Sequence, residues 1–149
     1  MFQKVCIIGC GLIGSSIARA IKKYNLSNNI VSSNRSEITN KTVIKLNIVN
    51  DSSSDTQKMV KESDLVIIAT PLSNYKEIIL KIKSVLKKGA IVTDVGSVKG
   101  KVIYLVEKNI PKNVSWISSH PIAGTEESGP ESGFADLFKN RWCILTPSN

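Results

Sequence analysis

Residues 5–21, VCIIGCGLIGSSIARAI, constrain this chain more tightly than any other stretch. The run Val5-Cys6-Ile7-Ile8 is continuously apolar, as a parallel strand buried on both faces requires. Gly9, Gly11 and Gly14 follow, with Leu12 and Ile13 between the last two, and then a helix with Ile13, Ile17 and Ile21 on one face. In a dinucleotide-binding unit each glycine has a separate task. The first allows the tight turn out of the strand, the second lets a pyrophosphate approach the backbone, and the third lets helix and strand pack closely. The free N–H groups at the helix start, with the helix dipole, form an anion site. Alone, G-x-G-x-x-G is a weak signal; set between a strand and a helix, it predicts dinucleotide binding through Gly9, Gly11, Leu12, Ile13 and Gly14.

Further along, apolar runs alternate with helical spacing. Residues 29–33 read as a second strand ending in Asn34-Arg35-Ser36. An NAD binder carries an acid about 20 residues beyond its glycines to hold the ribose hydroxyls, and none stands here. Asn34 can still hydrogen-bond a ribose or phosphate, and Arg35 suits a 2′-phosphate. The pattern therefore predicts a preference for NADP, with a plain polar turn as the alternative. A short helix over 37–46, a weak strand near Ile48-Val49 and a loop over 51–55 that caps the next helix come after. Leu65-Val66-Ile67-Ile68-Ala69 is a buried strand closed by Thr70-Pro71. Those two residues stand where ligands of open α/β sheets bind, although ending the strand would explain them equally well.

The pattern predicts a helix over 73–86, a strand over 90–94 and, after the turn Val95-Gly96-Ser97-Val98-Lys99, a helix to about Asn109. Asp94 is expected to orient that turn. Ser97 is either the N-cap of the helix or a hydroxyl at the ligand-binding edge of the sheet. A strand over 114–118 leads into Ser119-His120-Pro121-Ile122-Ala123-Gly124-Thr125-Glu126, then a glycine-rich loop, a helical turn over 134–138 and a last strand over 142–146. The alternation specifies an α/β fold with a Rossmann-type, doubly wound, mostly parallel sheet, in one domain spanning 1–149. Tyr104 and Lys108 have a YxxxK spacing used by some dehydrogenases, but inside a helix packed on the sheet the pair reads as chance.

Composition bears on partners. The net charge is +8, carried largely by scattered lysines with few aromatics to stack on bases, which argues for anionic small ligands and against nucleic acid. No apolar run approaches the length of a membrane span, so the expected setting is the cytoplasm. Cys6, Cys10 and Cys143 lack metal spacing, and with a single histidine no metal site is expected.

Taken in order, VCIIGCGLIGSSIARAI, SDLVIIATP, TDVGSVKG, SSHPIAGTEESG and LFKNRWCILTP resemble the prephenate dehydrogenases and the related arogenate dehydrogenases, along essentially the whole chain. DVGSVK and HPIAG are far more specific than the glycine pattern. The resemblance implies tyrosine biosynthesis: oxidative decarboxylation of prephenate, or of arogenate, with hydride transfer to NAD or NADP. It implies a Rossmann domain followed by a helical domain that dimerises and completes the substrate pocket.

Carried over by motif, His120 matches the histidine that hydrogen-bonds the ring hydroxyl of the substrate. Removing a hydride from that carbon develops carbonyl character, and imidazole is suited to accept the O–H proton. Ser97 matches the serine that contacts this histidine and the nicotinamide or substrate. Glu126 matches an acid at the mouth of the pocket, with a solvated loop carboxylate as its rival reading. The helical domain expected in the family is absent from these residues, together with the family's arginine for the substrate carboxylate. The Gly124–Gly133 loop is accordingly expected to have nothing to close against. Two other readings remain: a β-hydroxyacid dehydrogenase or imine reductase relative, which would lack HPIAG, and a non-catalytic NADP-sensing module.

Overall fold

The apolar run at the start becomes β1 (Phe2–Ile8), an interior strand of a seven-stranded sheet in this computed structural model, which describes residues 1–147. The other strands are β2 (Ser27–Ser33), β3 (Asp51–Ser53), β4 (Leu65–Ile68), β5 (Ile91–Asp94), β6 (Ser115–Pro121) and β7 (Cys143–Pro147). Their order is β3-β2-β1-β4-β5-β6-β7; the first six are parallel, and β7 runs antiparallel to β6. Because the order reverses between β1 and β4, the carboxyl ends of these strands diverge there and leave a crevice.

The helices are α1 (Leu12–Lys23), α2 (Glu37–Lys45), α3 (Thr56–Val60), α4 (Tyr75–Ile82) and α5 (Gly100–Asn109). They explain why β1 has no polar alternation. Val5 and Ile7 enter a core with Ala18, Ile21 and Val43 on the α1–α2 side, whereas Cys6 and Ile8 enter one with Met59, Ile79 and Val106 on the α3–α5 side. Each fully buried Val or Ile contributes about 1.5–3 kcal/mol, so both faces of the strand stabilise the fold.

Asparagine ends two helices in the same way. Asn25 after α1 and Asn47 after α2 have φ of 52°, and the next N–H groups, of Leu26 and Ile48, reach back to the carbonyls of Ile21 and Val43. This is the Schellman arrangement with Asn as its left-handed residue. It also moves the expected third strand. Ile48 and Val49 are buried core residues, and pairing with β2 begins at Asp51, opposite Val31.

Other boundaries shift for tertiary reasons. The helix expected over 73–86 is a 3-10 turn (Leu72–Asn74) followed by α4, although Val85 and Leu86 still pack on the core. Ser97 does not cap α5, whose N-cap position is Lys99. β6 runs three residues past the expected Ser118, because β7 returns along it and pairs Ile144 with His120. Asp55 caps α3 by accepting from the Lys58 N–H at 3.1 Å, as expected of that loop. Among the described residues no helix is long and apolar enough to cross a membrane.

Candidate functional site

Three glycines shape the phosphate end of the crevice, each under a different constraint. Gly9 turns the chain out of β1 with φ of +93°, and a Cβ there would lie 2.8 Å from the Ala69 carbonyl oxygen and from Thr70 Cγ2. A Cβ on Gly14 would lie 2.1 Å from the Gly9 carbonyl oxygen, so α1 approaches β1 as only glycine permits. Gly11 is the opposite case: nothing stands within 4 Å of its would-be Cβ, and the space is open to a ligand. The first helical bond of α1 runs from the Ser15 N–H to the Gly11 carbonyl, so the N–H groups of Leu12, Ile13 and Gly14 precede the helix's own bonding. No acidic residue occupies the first turn, while Lys22 and Lys23 occupy the last. This polarity favours an anion at the amino end.

The crevice encloses about 450 Å³. Gly9, Cys10 and Gly11 border it on one side, Asn34, Arg35 and Ser36 on a second, and Thr70 and Pro71 on a third. Arg35 and Ser36 are exposed, and the Ser36 hydroxyl accepts from the Thr39 N–H at 3.3 Å as the N-cap of α2. Asn34 also borders the crevice but is 7% exposed, and its polar atoms engage protein partners. Its Oδ1 accepts from the Cys10 N–H at 2.6 Å, and its Nδ2 faces Asn40 Oδ1 at 3.0 Å. Cys10 is buried, and desolvation pushes its thiol up to about 11; the Cys6 thiol in the core of β1 is pushed up to about 12. Neither is a poised nucleophile.

Gly129 and Pro130 also border the crevice, which overturns the expectation that the 124–133 loop has nothing to close against. It closes against α1. A Cβ on Gly133 would lie 2.1 Å from Ser15 Oγ, and the Phe134 N–H donates to Ser16 Oγ at 3.1 Å. Lys23 then pairs with Asp136 at 2.6 Å, which lowers the Asp136 carboxyl and raises the Lys23 ammonium pKa.

A second polar centre sits under the ends of β5 and β6. Asp94 is fully buried, and both its oxygens are occupied. Lys99 Nζ reaches them at 2.9 and 2.8 Å, Ser118 Oγ and the Ser119 N–H at 3.0 Å each, the Gly96 N–H at 3.0 Å and the Tyr75 hydroxyl at 3.2 Å. Burial and the Asp94 carboxylate push the Tyr75 phenol far above its ordinary range, so it remains a donor. Lys99 also donates to the Ser119 carbonyl, and Ser119 Oγ to the Asp94 carbonyl. The turn bearing Ser97 is thus tied to the strand end bearing His120 by a lysine two residues after the first and a serine just before the second. Asp94 orients the turn, as expected from the sequence.

Ser97 is exposed, His120 half-buried and Glu126 exposed, and none of the three borders the 450 Å³ crevice. The structure therefore gathers the glycine loop, Arg35, Ser36, Thr70 and Pro71 in one place, and leaves Ser97 and His120 outside it, on two segments joined through Lys99, Ser119 and Asp94. Sequence reasoning missed Tyr75 and Lys99. The signal for Lys99 was within reach: a lysine five residues after a strand-end aspartate, across a turn with glycine. Gly96 completes it, since a Cβ there would meet Leu72 Cδ2 at 2.5 Å and the Tyr75 hydroxyl at 3.2 Å. Tyr75 carried no local signal.

Comparison with known proteins agrees with this geometry. The family model described as the prephenate dehydrogenase nucleotide-binding domain matches residues 17–149. A cyclohexadienyl dehydrogenase of Zymomonas mobilis is 40% identical over 147 residues, which is 99% of this chain and 50% of that protein. The crystal structure of an A. aeolicus prephenate dehydrogenase in complex with hydroxyphenyl propionate and NAD+ superposes with a TM-score of 0.91 at 30% identity, covering 100% of this chain and 52% of that one. A Synechocystis arogenate dehydrogenase gives 0.90 at 26% identity, covering 99% and 51%. The chain thus spans about half the length of these relatives. With the glycine loop, the crevice at the strand reversal and the paired strand ends all in place, it belongs to the prephenate dehydrogenase nucleotide-binding domain family.

Proposed function

We propose that this chain is the cofactor-binding half of a dehydrogenase that oxidises and decarboxylates prephenate or arogenate, with NADP preferred over NAD. The observation that supports the reading is the Asp94–Lys99–Ser119 tie, which joins the turn bearing Ser97 to the strand end bearing His120 in a sheet whose other strand ends border a crevice that suits a dinucleotide. The residues fit such a cofactor: the space over Gly11 is open, and the N–H groups of Leu12, Ile13 and Gly14, outside the helix's own bonding, would hold its pyrophosphate. Bound there, the nicotinamide supplies the hydride acceptor. His120 would accept the ring-hydroxyl proton as the carbinol carbon gives up its hydride, and would return it to the ring oxygen as the ring–carboxylate bond breaks, carbon dioxide leaves and that bond's electron pair completes the aromatic ring. Ser97 orients His120 and the nicotinamide or substrate, and Glu126 lies at the entrance. At the far end Arg35 pairs with the 2′-phosphate, flanked by Ser36, while Thr70 and Pro71 bear on the cofactor backbone.

Purified as 149 residues, the chain binds NADP in this reading but turns over neither substrate on its own, because it supplies one wall of the substrate site. Near-attack positioning is worth about 7–11 kcal/mol of a barrier, and one wall cannot provide it. In the active full-length enzyme, taken to be a cytoplasmic homodimer, His120→Asn lowers kcat by about 10²–10⁴-fold and leaves NADP affinity unchanged. A variant that kept its turnover and lost NADP would show the role to be misassigned. For the cofactor, Arg35→Ala removes a charge-assisted contact worth about 1.5–3 kcal/mol and with it most of the preference. Equal calorimetric affinities of the parent for NADP and NAD would refute that preference.

A further inference from the structure

We propose that Asn34 is a positioning residue that holds the phosphate-binding loop, and that discrimination at the ribose rests on Arg35 and Ser36 without it. This rests on the crevice being a nicotinamide dinucleotide site. Two consecutive N–H groups of the glycine loop are tied to two consecutive residues at the end of β2. The Gly9 N–H donates to the Ser33 carbonyl at 2.9 Å, and the Cys10 N–H to Asn34 Oδ1 at 2.6 Å. The loop is suspended from β2 just before its remaining N–H groups, from Gly11 onward, turn toward the open space.

The other end of the amide is anchored too. Asn34 Nδ2 lies 3.0 Å from Asn40 Oδ1 and 3.2 Å from both Ser32 Oγ and Ser52 Oγ. Ser52 Oγ donates to Asn40 Oδ1 at 2.7 Å, and Asn40 Nδ2 donates back to the Asn34 carbonyl at 3.2 Å. Ser32 and Asn40 are buried as deeply as Asn34 itself. The arrangement is directional: an acceptor must face Cys10 and a donor must face Asn40, and only an amide offers both on one short side chain. Turning Asn34 toward a ribose would leave the Cys10 N–H and one side of Asn40 unmatched in a buried place. Aspartate would keep the first contact and set oxygen against oxygen at the second. Arg35 and Ser36, in contrast, are exposed at the crevice wall.

Four ligands separate the roles: ADP carries the pyrophosphate without a 2′-phosphate, 2′-AMP the reverse, and NAD and NADP carry the whole frame. Calorimetric titration of the 149-residue chain should show Asn34→Ala, which removes both amide contacts without adding charge, weakening ADP, NAD and NADP by about tenfold each, the scale of one hydrogen bond. The NADP-to-NAD ratio should hold within about threefold, and 2′-AMP should bind as before. Arg35→Ala should do the reverse, losing 2′-AMP and keeping ADP. Ser52→Ala, which removes one anchor of the amide, should weaken ADP in the same sense by a smaller factor, and it decides the matter if Asn34→Ala does not fold. A tenfold change in the NADP-to-NAD ratio in Asn34→Ala would overturn the proposal by placing that side chain on the ribose. Unchanged ADP binding, or joint loss of ADP and 2′-AMP, would overturn it equally. A parent chain that binds NAD and NADP alike removes the cofactor preference while ADP still decides the role of Asn34; one that binds none of the four overturns both readings.

Discussion

The two polar centres of this sheet edge are built on opposite plans. Around β1 and β2 the backbone shapes the crevice: glycines clear space, the first N–H groups of α1 stand outside its helical bonding, and neutral amides and hydroxyls hold the loop. Around β5 and β6 a buried charge pair, Asp94 with Lys99, locks two motif segments together. The first region gains a further border from Gly129 and Pro130, which return to the crevice. The second is bare on its outer side, where Trp142 is 84% and Leu145 61% exposed. A cradle of backbone N–H groups with Arg35 on its wall suits an anionic ligand. A charge-locked floor fixes the ends of β5 and β6 relative to one another.

The contrast can be broken at either end. Lys99→Met should have the largest effect on stability, because it leaves the Asp94 carboxylate buried and uncompensated, at a cost of about 3–5 kcal/mol. Denaturant unfolding should record that loss, and pairing it with Asp94→Asn should recover part of it. 2′-AMP should still bind wherever the Lys99 variant is folded, since its contacts lie on the other centre. Gly14→Ala comes next: its Cβ must displace the Gly9 carbonyl, for about 1–3 kcal/mol of overpacking. Its signature is selective, with NADP binding lost at temperatures where the variant is still folded. If it bound NADP normally, the close approach of α1 to β1 would not be what shapes the phosphate site.

The smallest effect lies outside both centres. Lys87 bonds Asp64 at 2.6 Å, and that ammonium, with the Lys4 and Gln3 N–H groups, holds the Asp64 carboxyl below its usual range. A carboxyl lowered in the native state stabilises fully above its unfolded pKa, near 4, and that contribution fades as pH falls through the lowered native value. Asp64→Asn should cost about 0.5–1 kcal/mol near neutral pH and nothing once both forms are protonated. An equal cost at neutral and strongly acid pH would show that the carboxylate charge is not involved.

Much of the phosphate side was legible because its information is local. A strand, three glycines and a helix occupy one short stretch, and the spacing carries the geometry. The second centre was legible only in outline. Asp94 and its turn lie together in sequence, but Tyr75 and Ser118 reach the carboxylate from separate elements. The extension of β6 through His120 was hidden for the same reason, since only pairing with the distant β7 makes that segment a strand. Asn34 was legible only in part: it borders the crevice, as its position suggested. Its partners, Cys10, Ser32, Asn40 and Ser52, are spread over four elements or loops that no local pattern connects.

The seating of Gly133 and Phe134 on α1 sets an order of events for the growing chain. The helix whose amino end faces the phosphate is complete after 23 residues, yet the partner that covers Ser15 and Ser16 lies 118 positions later. Contacts so distant in sequence close late, because the loop entropy must be met before they return anything. A chain emerging from the ribosome therefore carries an unfinished nucleotide crevice until almost all of these residues have been made. Cofactor present during synthesis would meet its full site only at the end, and would act there as the last piece of the fold.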